Sequence, residues 1–230
     1  MSSVAIITAR GGSKRIPGKN KKIFAGKPIL AYSIEAALGS GVFDEVMVST
    51  DDDEIAKIAE EYGACVPFRR SEATANDYAT TADVLTEVLD CYDKLGKHFD
   101  EFACIYPTAP FVTDNRLKDA FMKLHESGAK SLVSVTKYDF PPQRSVVIRD
   151  GLMQFREPQY ATARSQDLEP VYHDAGQFYL CRTDAFRAQK TLVTDCTTAY
   201  ILPIEEVQDI DTPDDWMIAE IKFEMLKKKT

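Results

Sequence analysis

Residues 4–135 alternate between short apolar runs and stretches whose apolar residues recur with helical period, and this alternation limits the possible folds more than any other feature. The apolar runs predict buried strands at residues 4–8, 46–49, 64–68, 102–106 and 132–135. The stretches between them predict helices, the first of which Gly39 and Gly41 are expected to close. Parallel strands need helical crossovers, and right-handed crossovers give an α/β fold of three layers, an α/β/α sandwich with a mostly parallel sheet.

The alternation stops at residues 137–172. Asp150-Gly151 lies there between two apolar runs, which predicts a hairpin with a two-residue turn. We interpret 137–172 as an insert that projects from the sheet and serves as an oligomerisation arm. Strands are expected again at 177–180 and 199–202, before a last amphipathic helix.

The composition is that of an ordinary globular protein, and it excludes several classes. The chain is expected to form one domain, residues 1–230. A net charge of −8 argues against a nucleic-acid partner, which needs a dominant basic surface. No apolar run approaches the roughly 18 residues of a membrane span, so no membrane partner is expected. The N-terminus lacks the features of a signal peptide and the five cysteines form no CxxC pair, so we expect reduced thiols and a cytoplasmic location.

The charge is distributed unevenly, because residues 1–34 contain no acidic side chain but seven basic ones. Most of them belong to a glycine-rich loop, residues 9–20, that follows the first predicted strand. Glycines let backbone amides approach a phosphate, and arginine and lysine neutralise it. The loop therefore predicts an anion site, with a solvated basic face as the alternative reading.

Two familiar phosphate loops do not fit this segment. A P-loop has four residues between its glycines and Ser or Thr after its lysine, whereas five residues separate Gly12 from Gly18 and Asn20 follows Lys19. A dinucleotide fingerprint opens a helix directly, which Pro17 prevents, so an oxidoreductase that uses a dinucleotide is not supported. The loop is a phosphate cradle of another type.

Asp209 and Asp211 form a second candidate site near the end of the chain. In extended backbone, residues i and i+2 point to the same side, so both carboxylates would face one volume while Ile210 faces the core. Two carboxylates together with substrate oxygens suit Mg²⁺, which keeps several waters. The alternative is capping of the last helix, with Thr212 as the cap, Asp215 as its box partner and Asp211 near the positive end of the helix dipole; it would explain Asp211 and Thr212 but not Asp209. The basic loop and the carboxylate pair together imply a nucleoside triphosphate with Mg²⁺.

The sequence resembles the acylneuraminate cytidylyltransferases, the CMP-sialic acid synthetases, over nearly its whole length. The resemblance rests on residues 9–20, on Ser49-Thr50-Asp51, on residues 106–110 and on residues 209–212, which occur in the order and spacing of that family. Residues 172–179 resemble the branch of the family that activates pseudaminic acid. The sialic acid enzymes tend to have Asn-Gly in place of Ala175-Gly176 and Gln in place of Tyr106.

The resemblance implies a Rossmann-like nucleotide-diphospho-sugar transferase fold and a homodimer in which the 137–172 arm reaches the neighbouring subunit. It implies transfer of CMP from CTP to a nonulosonic acid, with Mg²⁺ as cofactor and release of pyrophosphate. Its implied catalytic residues are Arg10, Lys19 and Asp211, and its implied metal ligands are Asp209 and Asp211. The residues implied to bind the nucleotide are Ala9, Arg10, Gly11, Gly12, Ser13, Lys14, Lys19, Asn20, Arg69, Thr80, Pro107 and Thr108. The residues implied to bind the sugar are Tyr106, His173, Asp174 and Gln177.

Several points stay open at this level. Arg15 and Arg70 are expected to be solvated. The sugar expected is pseudaminic acid, and the alternatives are N-acetylneuraminate and legionaminate. A non-catalytic nucleotide-binding regulator is an alternative of a different class, which an assay of pyrophosphate release from CTP would separate from an enzyme.

Overall fold

The computed structural model describes residues 1–228, so the last two positions of the predicted 1–230 domain lie outside the described residues. The strands are β1 (Ser3–Thr8), β2 (Ile23–Phe24), β3 (Lys27–Pro28), β4 (Glu45–Ser49), β5 (Glu101–Ile105), β6 (Ser131–Lys137), β7 (Val146–Arg149), β8 (Leu152–Phe155), β9 (Tyr172–Arg182) and β10 (Thr197–Leu202). The helices are α1 (Ile29–Ser40), α2 (Asp53–Glu61), α3 (Glu72–Ala75), α4 (Thr81–Lys94), α5 (Asp114–Ser127), α6 (Thr183–Gln189) and α7 (Pro213–Lys227). Among these residues, no helix combines the length and the apolar character needed to cross a bilayer.

The central sheet has six strands in the order β10-β6-β9-β5-β1-β4, and every neighbouring pair is parallel except the two that include β9. Alternate residues of β1 serve opposite layers, as the period of a strand requires. Ile7 packs with Ile34 of α1 and Leu117 of α5 on one face, while Ile6 packs with Leu85 of α4 on the other. The predicted α/β/α sandwich with a mostly parallel sheet is therefore confirmed.

Strand β9 is longer than the predicted segment 177–180 and is irregular in the middle. Its partner on β6 changes from Val133, which faces Tyr179, to Val135, which faces Asp174, so the residues between Asp174 and Tyr179 bulge out of the ladder. Gly176 takes φ +62° there, and the Ser134 hydroxyl accepts the N–H of Phe178 at 3.2 Å. Bulges of this kind redirect side chains next to functional sites.

Two local expectations are wrong, one for a hydrogen-bonding reason and one for a packing reason. The predicted strand at 64–68 makes a single bridge, between Cys65 and Met47 of β4, because Pro67 has no N–H with which to extend a ladder. Gly39 lies inside α1, which ends at Ser40 with Gly41 as its left-handed cap. A Cβ at Gly39 would lie 3.3 Å from the Cβ of Asp114, so this glycine allows α1 to approach α5 closely.

The predicted hairpin is present as β7 and β8, joined by Asp150 at φ 51° and Gly151 at φ 77°. In the described part of the chain these two strands pair only with each other and form a separate two-stranded sheet. Its apolar side chains, Val146, Ile148 and Leu152, are exposed.

The position of β9 between β5 and β6 generates a stability prediction. Leu180 of β9 is fully buried in the layer that contains α1 and α5. Leu180→Ala is expected to lower the free energy of unfolding by about 2–5 kcal/mol, because it removes buried methyl groups and leaves a cavity. Ile201→Ala is the matched control, since Ile201 lies on edge strand β10 and is 52% exposed; its effect should stay within about 0.5 kcal/mol. Urea unfolding followed by circular dichroism measures both, and equal effects would contradict this account.

Candidate active site

Three adjoining cavities lie where β1 and β5 end, at the carboxyl edge of the parallel strands where α/β sheets bind ligands. The inner cavity, about 290 Å³, is lined by residues that include Thr8, Asn20, Arg70, Pro107 and Thr108. The basic cavity, about 490 Å³, is lined by residues that include Gly12, Ser13, Lys14, Arg15 and Asp211. The tyrosine cavity, about 500 Å³, is lined by residues that include His173, Asp174, Tyr179, Asp209 and Lys222. The first two share Arg10, Lys19 and Asn20, and Tyr106 lies between the first and the third.

The loop of residues 9–20 is fixed to the end of β4. The Gly11 N–H donates to Oδ1 of Asp51 at 2.9 Å, and a Cβ at Gly11 would lie 2.9 Å from the Cβ of Asp52, so only glycine fits. The buried Asn20 side chain donates to the Arg10 carbonyl at 2.9 Å and closes the loop on itself. Ala9, predicted to touch the nucleotide, is buried, and its N–H donates to the Ser49 carbonyl at 3.0 Å.

Asp77 lines both the inner and the basic cavity, a position that no sequence motif indicated. Its carboxylate accepts from Nη1 of Arg10 at 2.7 Å and forms a close ion pair with Lys14. These two hydrogen bonds, that of Lys14 first, hold the pKa of Asp77 below its usual range. Two cations of the predicted phosphate cradle are therefore paired with a carboxylate that lies within the cradle.

Asp211 is paired with the other end of the same loop. Nη2 of Arg15 lies 2.9 Å from its Oδ1, and Nζ of Lys19 lies 3.6 Å from that oxygen. Lys19 also donates to the Ile210 carbonyl at 2.7 Å. Arg15 is largely exposed, as expected, but its guanidinium is not merely solvated, because it contacts Asp211.

The predicted core position of Ile210 is present, but the two carboxylates line two adjoining cavities rather than one common volume. Ile210 is 1% exposed and packs in the cluster that contains Phe24 and Trp216. Asp209 lines the tyrosine cavity and Asp211 the basic cavity. The expected capping of the last helix is present as well, because Thr212 is the N-cap of α7 and forms a capping box with Asp215. Capping accounts for Thr212 and for Asp211, which directly precedes it, but not for Asp209.

The carboxylate pair fits a divalent cation. Desolvation, followed by repulsion from Asp211, raises the pKa of Asp209, so its negative charge is incompletely balanced by its neighbours. Within residues 1–228, no group of three or more His, Cys, Asp or Glu side chains is arranged to hold a metal. In nucleotide sites, Mg²⁺ is commonly held by one or two carboxylates together with waters and phosphate oxygens.

Arg69 was expected to contact the nucleotide and Arg70 to be solvated, but the structure places Arg70 in a cavity wall and Arg69 at the surface. Nη2 of Arg69 pairs with exposed Asp53 at 2.8 Å, and Arg69 is absent from the described walls of the three cavities. Arg70 is 8% exposed, lines the inner cavity and donates to the Ser49 hydroxyl and carbonyl at 3.1 and 2.7 Å. Desolvation lowers the pKa of Arg70. Phe68 packs into the core, so period-2 alternation from Phe68 would have placed Arg70 inward and Arg69 outward.

Thr80, which was predicted to bind the nucleotide, lies beside the inner cavity. Thr80 is the N-cap of α4, and its hydroxyl is bonded to Asp83. Its neighbours Ala79 and Thr81 line the cavity instead, opposite Pro107 and Thr108.

The tyrosine cavity contains a linked set of aromatic and acidic groups. The ring centroids of Tyr106 and Tyr179 are 5.5 Å apart, and the Tyr106 hydroxyl lies 3.4 Å from that of Thr81. Tyr179 donates to Oδ2 of Asp174 at 2.7 Å. Burial is the main cause that raises the pKa of both tyrosines.

The remaining predicted sugar residues differ in position. The His173 ring lies 4.7 Å from that of Tyr138 and reaches the cavity wall from the arm side. Gln177 is buried, is absent from the described walls of the three cavities, and donates its side-chain amide to the Glu206 carbonyl.

Comparison with known proteins agrees with this geometry. Residues 4–222 match the cytidylyltransferase family. The chain belongs to this family of nucleotidyltransferase enzymes.

Two relatives align over 98% of the chain and 97% of their own length. The pseudaminic acid cytidylyltransferase of Campylobacter jejuni subsp. jejuni (strain 81-176) is 39% identical. The CMP-N,N'-diacetyllegionaminic acid synthase of Legionella pneumophila subsp. pneumophila is 36% identical. The N-acylneuraminate cytidylyltransferase of Streptococcus agalactiae (strain NEM316) is 31% identical over 94% of the chain and 52% of its own length.

Two solved structures share the fold. A CMP:2-keto-3-deoxy-manno-octonic acid synthetase complexed with CTP superposes with a TM-score of 0.69 at 18% identity, over 99% of this chain and 100% of that one. The 4-diphosphocytidyl-2C-methyl-D-erythritol synthase of Anaerococcus prevotii gives 0.65 at 17% identity, over 97% and 98%.

The different positions of Arg69 and Arg70 predict different effects of substitution, and Arg69 serves as the control for Arg70. Arg70→Gln is expected to lower kcat/KM for CTP by about one to two powers of ten, because a hydrogen bond to a charged group contributes about 1.5–3 kcal/mol. Arg69→Gln should stay within about twofold, since its partner is the exposed Asp53. Pyrophosphate release measures kcat/KM, and thermal unfolding checks that both variants are folded. The reverse order of effects would return the nucleotide contact to Arg69.

Proposed function

We propose that this cytidylyltransferase moves CMP from CTP to the anomeric hydroxyl of pseudaminic acid and releases pyrophosphate. The observation that carries the proposal is the placement of Asp209 in the tyrosine cavity and Asp211 in the basic cavity. A carboxylate pair that joins these two spaces is suited to the point where a phosphate meets an attacking hydroxyl. The Campylobacter and Legionella relatives support the class of sugar.

In this proposal the basic cavity holds the triphosphate. Arg10, Lys14 and Lys19 supply charge, and Gly12 and Ser13 supply close approach and hydrogen bonds. The polyphosphate would replace Asp77 on Arg10 and Lys14, so these cations exchange one anion for another. The nucleoside would occupy the inner cavity beside Asn20 and Arg70.

Catalysis of this kind depends on positioning and on charge stabilisation rather than on a covalent intermediate. When bound, Mg²⁺ supplies polarisation of a phosphate oxygen and lowers the pKa of a coordinated hydroxyl. Asp209 and Asp211 are the residues that would hold it. Lys19 and Arg15, both next to Asp211, would stabilise the charge of the departing pyrophosphate.

The tyrosine cavity supports pseudaminic acid over sialic acid. Pseudaminic acid lacks the 9-hydroxyl and carries a second acylamino group at carbon 7, so its tail is less polar than a glycerol chain. The paired rings of Tyr106 and Tyr179 offer an apolar surface for such a tail. N-acetylneuraminate and legionaminate remain the alternatives that an assay distinguishes.

We further propose a cytoplasmic homodimer. The exposed apolar side chains of the 137–172 arm include Phe140 at 87% and Ile148 at 76% exposure, and an exposed apolar patch favours burial against another subunit. The five cysteines are free, which supports a reducing compartment.

A panel of sugars tests the substrate. With CTP and Mg²⁺ saturating, kcat/KM is expected to be at least about tenfold higher for pseudaminic acid than for N-acetylneuraminate, since a site that mismatches polar groups discriminates strongly. Tyr106→Gln should narrow this ratio. Equal efficiencies or a preference for sialic acid would contradict the choice of sugar, and absence of pyrophosphate release with every sugar would favour the regulator.

Asparagine substitutions test the carboxylate pair. Asp209→Asn and Asp211→Asn are each expected to lower kcat by about two to three powers of ten, because a metal contributes several kcal/mol to stabilisation of the transition state. Asp214→Asn is the matched control, an exposed carboxylate three residues beyond Asp211. Turnover is followed at several Mg²⁺ concentrations. Near-normal rate and metal dependence in either variant would show that the carboxylate in question is structural.

A further inference from the structure

The six residues that lead from β10 to Asp209, residues 203–208, are held by side chains from three different elements. We name this segment the bracket loop. Glu206 is at its centre and receives a two-point contact from Arg116 of α5, with Nε to Oε2 at 3.1 Å and Nη2 to Oε1 at 2.8 Å. Gln177 of β9 donates its side-chain amide to the Glu206 carbonyl. Lys222 of α7 donates to the carbonyls of Ile204 and Val207 at 3.2 and 2.6 Å.

These contacts are stronger than ordinary surface pairs. The side chains of Arg116 and Glu206 are 31% and 22% exposed, and the hydrogen bond to Glu206 is the main cause that raises the pKa of Arg116. Two-point arginine–carboxylate contacts fix orientation as well as distance. Desolvation lowers the pKa of Lys222.

Lys222 lines the tyrosine cavity together with Asp209. Within residues 1–228, the hydrogen bonds of its ammonium group go to backbone carbonyls of the bracket loop, so Lys222 fixes the backbone of that loop. The loop is tied at Ile204 and Val207, and Asp209 follows two residues later.

The chain is fixed again directly after this point. Ile210 is buried, its carbonyl accepts from Lys19, and Thr212 caps α7. Asp209 and Asp211 thus flank the buried Ile210, on a segment that is held by the bracket loop before it and by the cap of α7 after it. A divalent cation requires ligands held to a fraction of an ångström, and supporting contacts of this kind commonly change metal affinity 10–100-fold when they are removed.

We infer that Arg116, Gln177 and Lys222 are positioning residues, which hold the bracket loop so that Asp209 and Asp211 present their oxygens to one divalent cation. This inference rests on the proposed function and assigns Gln177 a role behind the cavity wall rather than on the sugar. The three residues belong to α5, β9 and α7, so the position of the bracket loop depends on how these three elements are placed relative to one another.

The experiment uses Mn²⁺ as a spectroscopic probe of the carboxylate pair. Free Mn²⁺ is measured by electron paramagnetic resonance during titration of the full chain with CTP present. Lys222→Met is expected to weaken Mn²⁺ binding by about tenfold or more, while KM for CTP at saturating metal changes by less than about twofold. Lys222→Arg, which keeps the charge and the donors, should recover most of the affinity. Lys227→Met is the matched control, a lysine of the same helix that pairs with Glu224.

Each outcome decides the inference. If Lys222→Met binds Mn²⁺ as the unsubstituted chain does and only its melting temperature falls, the role is structural and the inference is overturned. If that variant does not fold, Glu206→Gln replaces it, because it breaks the Arg116 contact without touching the cavity, and the same weakening is expected. Absence of Mn²⁺ binding by the unsubstituted chain also overturns the inference. Mn²⁺ binding that depends on Lys222, without pyrophosphate release from CTP and any sugar, would support positioning and contradict the proposed function.

Discussion

Burial of β1 between β4 and β5 is the constraint on which the rest of the site depends. Val4 to Ile7 are fully buried, and both ladders of β1 are parallel, so three strand ends meet at one edge of the sheet. The basic loop leaves from the first end, Ser49 to Asp51 from the second, and Tyr106 to Thr108 from the third. The apolar layers on both faces of the sheet bring these segments together.

The chain is acidic overall, but its loop of residues 9–20 is basic. The basic loop carries the cations, and two neighbouring carboxylates, Asp77 and Asp211, form ion pairs with them from two sides. Compensation of this kind limits self-repulsion of the loop and keeps its side chains oriented before a substrate arrives. In the proposed reaction, a polyphosphate anion would enter a site whose cations are already in place.

Much of the fold follows from sequence periodicity, because the alternation of strands and helices depends on local apolar patterns. The prediction of a strand at 64–68 was wrong because a local apolar pattern does not show that Pro67 interrupts strand pairing. The prediction that Gly39 ends the first helix was wrong because the close contact between Gly39 and Asp114 depends on tertiary packing. In the site, the basic loop and the Asp209–Asp211 alternation were predictable from composition and spacing. The bracket contacts of Arg116 and Lys222 were not, because they join elements that are distant in sequence.

The bulge in β9 separates two tasks within one strand. Residues 178–182 pair with β5 and hold the centre of the sheet, whereas Tyr172 to Asp174 pair with β6 beyond the bulge. Residues 173–176 form part of the wall of the tyrosine cavity. Substitution of Ala175 or Gly176 would reshape that wall without moving a ladder bond between β5 and β9. The same scaffold is thus open to divergence toward different acceptors while its nucleotide end is preserved.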